Sequence, residues 1–177
     1  MLLVTPWAQA ESVRLNGSGT AAPRLNFRII ISHELFLGVG TGANINPRGN
    51  NPTIDTVTFD YTTAPNAVGT GSAAPVITGN VVPVRVYGNR GQITLTATHP
   101  VNLTSGPNTI PFSQILVTSS SLNVPAPAMN GLPVFPLMNG ASGNTNRSAT
   151  WTYRYLNTVN AVGGVYVGQV TYTASML

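Results

Sequence analysis

Residues 81–99 read VVPVRVYGNRGQITLTATH. Apolar and polar side chains take turns on both sides of Gly88-Asn89-Arg90-Gly91. A repeat of two is that of a β-strand, and a glycine-bounded connection of this length reads as a hairpin. Pro83 has no N–H to give a ladder, so its strand is expected at a sheet edge or with a bulge there.

The same period runs outward in both directions. RLNFRIII (24–31) sets Leu25, Phe27 and Ile29 on one face and Arg24, Asn26 and Arg28 on the other. IDTVTFDYT (54–62) places Ile54, Val57 and Phe59 among threonines and aspartates. IPFSQILVTSS (110–120) reads as a further strand. SATWTYRYLNT (148–158) and GVYVGQVTYTASM (164–176) are joined by VNAVGG and read as a second hairpin, with WTYRYLNT the expected partner of the last strand. No window carries a sustained helical face, and 18 glycines and 14 prolines punctuate the chain. Eight or nine short strands with turn signals between them predict an all-β sandwich or barrel. Residues 38–53 read as a loop. Residues 123–146 form a second loop, too apolar (Met129, Leu132, Val134, Phe135, Leu137, Met138) to stand in water, so it is expected across a sheet or against a neighbour.

Composition narrows the function. Only 7% of the 177 residues are charged, against about a quarter in ordinary domains. The net charge of +4 comes from eight scattered arginines, with no lysine, so the clustering of a phosphate footprint is absent and no nucleic-acid partner is expected. There is no cysteine, which excludes disulfides and thiolate chemistry. His33 and His99 have no carboxylate at ligand spacing beyond the adjacent Glu34, so no metal is expected. Asp55 and Asp60, five apart, fall on opposite faces of a strand and would not converge on one bond. GVGTG precedes neither a lysine nor a helix, and no G-x-S-x-G occurs. The chain therefore reads as a protein with no catalytic residues and no cofactor.

Trp151, Tyr153 and Tyr155 alternate and share one face. Buried, they are inter-sheet core, the better reading for large aromatics. Exposed, they would stack on sugar rings, the alternative of a secreted monomeric sandwich that binds glycan or acts as an adhesin. Residues 1–10, MLLVTPWAQA, end in an A-x-A pattern after a short apolar run and read as a leader remnant or an N-terminal extension of a secreted protein. No other stretch has the length of a membrane-spanning helix, and no stable membrane insertion is expected.

The closing run, GVYVGQVTYTASML, resembles the last strand of chaperone–usher pilins, in particular the archaic branch. Gly164 is the fourteenth residue from the end, where that family has a glycine followed by alternating residues. The resemblance implies an immunoglobulin-like antiparallel β-sandwich that is incomplete and is completed by a strand from the N-terminal extension of the next subunit. It implies a bacterial cell-surface or extracellular filament, a homopolymer of identical subunits served by a periplasmic chaperone and usher. On this reading residues 11–22 are donor strand and linker, with Val13 and Leu15 the donated side chains. Residues 23–177 are the sandwich, and Gly164, Tyr166, Val170 and Tyr172 line the acceptor groove.

Overall fold

The computed structural model describes residues 11–45, 48–99, 101–140 and 143–176, so the leader expected at 1–10 lies outside the described residues. The chain divides into one unit ending at Ser32 and another beginning at His33. In the first unit, residues 11–32 form neither helix nor strand, and every one is exposed. Arg24 makes a two-pronged ion pair with Glu11, Nε to Oε2 at 2.8 Å and Nη2 to Oε1 at 3.2 Å. The strand expected at 24–31 is not formed. Alternation prepares a face for burial, but a strand exists only when its backbone finds a ladder partner.

The second unit is all-β and sandwich-like. One sheet runs, in spatial order, β1 (Leu35–Val39), β4 (Val81–Gly88), β9 (Thr145–Tyr155) and β8 (Ile115–Ser119), with every pair antiparallel. The other pairs β5 (Ile93–Thr98) with β10 (Thr171–Met176). Two short ribbons complete the set, β2 (Thr58–Asp60) with β3 (Val76–Thr78), and β6 (Leu103–Ser105) with β7 (Asn108–Ile110). Val82, Val84 and Val86 of β4 and Trp151 and Tyr153 of β9 meet Ile93 and Leu95 of β5 in one core, flanked by Tyr172, Ala174 and Met176 of β10. Alternate residues of four strands thus close on each other, as the period of two requires.

Both expected hairpins are replaced by crossings between sheets. β4 pairs with β1 and β9 while β5 pairs with β10, so Gly88–Gln92 carries the chain from one sheet to the other. Strands of one hairpin would turn their apolar faces the same way; across the sandwich they bury each other. The corner is tied by Asn89, whose Oδ1 accepts from Glu34 N at 2.9 Å and whose N–H donates to Glu34 O at 3.3 Å. Gly91 adopts φ 72° there and donates to Gly143 O at 2.7 Å. The terminal strand likewise takes β5 as its partner and not WTYRYLNT, which is β9 of the opposite sheet. Pro83 sits in a strand with neighbours on both sides, yet β1 ends at the Val39–Val84 pair, so at Pro83 only β9 is alongside. That local edge is what a residue without an N–H requires.

The apolar loop does lie across a sheet. Val134 and Leu95 exchange two backbone hydrogen bonds of 2.8 Å, which adds a short third element beside β5, and Val124, Pro127 and Pro136 are fully buried. No helix among the described residues is long and apolar enough to cross a membrane.

Candidate functional site

The sandwich is open along one side. β1 ends its sheet, and β10 pairs with β5 alone, so each strand leaves one edge without a ladder partner among the described residues. Between them lies a cleft of about 240 Å³, lined by Phe36 to Val39 of β1, by Gly42, by Gly49, Asn51 and Thr53 of the following loop, and by Tyr172 of β10. β1 is short because Gly40, with φ 70°, turns the chain into a single 3-10 turn over Gly40–Asn44. Asp55 secures that turn: its Oδ2 accepts from Thr41 N at 2.6 Å and its Oδ1 from Thr41 Oγ1 at 3.2 Å. At the loop's start, the Arg48 guanidinium lies 3.6 Å over the Tyr87 ring and donates to Glu34 at 2.7 and 3.0 Å. Those bonds hold the Glu34 carboxyl below its ordinary pKa.

Tyr172 lines the cleft and also links it to the core. Its ring lies 5.1 Å from that of Trp151, and its hydroxyl is 2.8 Å from that of Tyr153. Burial, then the neighbouring Tyr153, push the Tyr172 phenol far above its ordinary range, so it is neutral at any physiological pH. The lining is thus uncharged and mixed, with apolar side chains of β1 and Tyr172 beside backbone edges and asparagine and threonine side chains. Such a surface can take an extended chain.

The four residues expected to line one groove are divided. Only Tyr172 reaches the cleft. Val167 exchanges backbone hydrogen bonds with Thr104 at 2.9 and 3.0 Å, Tyr166 donates to Val162 O at 2.8 Å, and a side chain at Gly164 would run into Ser105. Residues 164–167 therefore sit beside β6, and β10 starts only at Thr171, with Val170 half-buried ahead of it. Gly168 marks the break, since a Cβ there would lie 2.9 Å from Leu103 and 3.0 Å from Phe112. Val13 and Leu15 are exposed in the first unit and take no strand pairing.

Trp151, Tyr153 and Tyr155 do share a face, and it is the inner one. Trp151 is wholly buried, donates from Nε1 to Val124 O at 3.3 Å and joins the core with Tyr153, while Tyr155 is wedged between Phe59 and Tyr61 at 6.1 Å from each. No sugar platform is exposed there. His33 contacts Arg90 at 3.4 Å, His99 lies over Phe112 at 4.5 Å, and Asp60 accepts from Thr62 N at 2.8 Å, so each is engaged locally. Among the described residues no three His, Cys, Asp or Glu side chains gather as a metal site would need.

Sequence reading missed β1 altogether, because its Gly38 and the Gly40 that follows it read as the start of a loop. The signal was the apolar run Leu35-Phe36-Leu37 just before them. No family model matches the chain, and neither does any curated protein or solved structure.

Proposed function

We propose that the chain is a structural subunit of an extracellular filament at a bacterial cell surface, in which an N-terminal segment of one copy completes the sandwich of the next. One observation carries the reading: an exposed, apolar-bearing segment over residues 11–32 exists in the same chain as a sandwich with an open edge at β1 and β10. Each is unfavourable alone, the first for its hydration and the second for its unpaired backbone. Placing five apolar side chains in a neighbour's cleft contributes about 8–15 kcal/mol before the ordering cost of association. The receiving fold is then an immunoglobulin-like sandwich lacking one strand. A chaperone and an usher are the expected partners before assembly, because an open edge must be covered in transit. Glycan binding through Trp151 has no support, since replacing that residue would empty the core before it altered any surface.

Electron microscopy and size-exclusion chromatography of the purified chain test the reading. Detergent-resistant fibres that vanish when residues 11–32 are removed are expected. A full-length chain that stays monomeric at every concentration overturns it.

A further inference from the structure

We infer that the donated strand is residues 25–31 and that it adds to the free edge of β10 in a second copy of this chain. The inference rests on the strand-donation reading and goes past it by naming the donated residues and the edge that receives them. Leu25, Phe27, Ile29 and Ile31 recur at every second position and are 57%, 85%, 85% and 76% exposed. An extended backbone turns all four to one side and Arg24, Asn26, Arg28 and Ile30 to the other. The earlier segment is poorer: it offers only Val13 and Leu15, bends over residues 16–19, and holds Gly17 at φ 132°. It suits a spacer better than a strand.

The receiving edge fits in length and chemistry. β10 is six residues long, one fewer than the donated seven, so a ladder can run its whole length. Thr171, Thr173 and Ser175 face water, and Tyr172, Ala174 and Met176 face the core. No charge and no proline interrupts TYTASM, whereas strands meant to stay at an edge usually carry such blocks. Beside this edge lies the cleft, where Leu37, Val39 and Tyr172 offer apolar contacts for donated side chains next to the polar Asn51 and Thr53. Fold-back onto the same chain's next strand is not encoded, because Ser32, His33 and Glu34 supply none of the Gly, Asn or Asp residues a tight hairpin needs. Each copy carries donor and acceptor at different places, so the contact is head-to-tail and propagates as an open fibre.

The absence of native cysteine makes the test clean. Full-length chains carrying Thr173→Cys with Arg24→Cys, Asn26→Cys or Arg28→Cys place thiols on the outward faces of both strands, where cross-strand neighbours come within disulfide reach. Oxidation should give a reducible ladder of dimers, trimers and longer species from at least one pair, and none from Arg14→Cys with Thr173→Cys. A ladder from the Arg14 pair alone overturns residues 25–31 as donor but keeps strand donation. Fibres without any ladder overturn the β10 edge and keep donation through another edge. Monomers throughout, with the unsubstituted chain also monomeric, overturn both. As a second measure, Phe27→Asp with Ile29→Asp should abolish every species above monomer while leaving the circular dichroism spectrum unchanged; fibres as abundant as before overturn the inference.

Discussion

The hydroxyls of Tyr153 and Tyr172 lie 2.8 Å apart and join β9 of one sheet to β10 of the other through the core. The bond satisfies two polar groups in apolar surroundings and locates the terminal strand at the open side of the sandwich. Tyr172→Phe should destabilise the chain by about 1–2 kcal/mol, because it strands the Tyr153 hydroxyl. Tyr153→Phe should cost less, since Tyr172 keeps the Met129 sulfur at 3.9 Å as a weak acceptor. Chemical denaturation of both single variants and the double variant checks this; a double-variant loss equal to the sum of the singles would show that the pair is not coupled.

The same tyrosines set an alkaline limit. Burial raises the pKa of Tyr153 and of Tyr172 above that of an unfolded tyrosine, about 10. Below that pH both states keep the protons and stability is level. Above it these two tyrosines ionise more readily in the unfolded chain than in the folded one, so stability falls, by up to about 1.4 kcal/mol per pH unit for each tyrosine still held neutral. Thermal midpoints measured from pH 7 to 11.5 should be flat and then drop above about pH 10. The Tyr153→Phe, Tyr172→Phe double variant should drop less steeply.

Asn157 pins the loop that follows β2. It is wholly buried, with φ 56°, and its Oδ1 accepts from Gly69 N at 2.7 Å. Its Nδ2 donates to Ala67 O at 2.6 Å and to Ser72 O at 2.9 Å, and its carbonyl accepts from Gly71 N at 2.7 Å. Asn157→Ala loses the three side-chain bonds and keeps the left-handed backbone, at a cost of about 3–4 kcal/mol. Asn157→Gly relieves the backbone and should be milder by about 1 kcal/mol. Urea midpoints for the two variants decide, and the opposite order would refute the account.

Gly88 is where the two sheets close on each other. A Cβ at this position would lie 2.8 Å from Ile93 Cδ1 and 2.8 Å from Met176 Sδ. Gly88→Ala should cost about 1–3 kcal/mol through overpacking. Adding Met176→Ala should recover part of that loss, because it removes one of the two clashing atoms. Double-mutant denaturation reads the coupling directly.

Much of this architecture was legible in the chain itself. Period-two alternation in 81–88, 93–98 and 148–155 identified strands and the inward face of Trp151 and Tyr153, because side-chain direction follows from local backbone geometry alone. Pairing was another matter. Alternation says which face a strand buries but not which strand lies beside it, so 81–99 reads equally well as a hairpin or as two strands facing across a core. Nor does it separate a strand that has found its ladder from one that has not: Leu25, Phe27 and Ile29 repeat as regularly as Ile93 and Leu95, yet only the latter are buried. Partner choice depends on backbone groups distant in sequence and on closure of a common core, and those exist only once the chain has folded. Side-chain period was therefore a property of the sequence, whereas the open edge between β1 and β10 is a property of the tertiary structure.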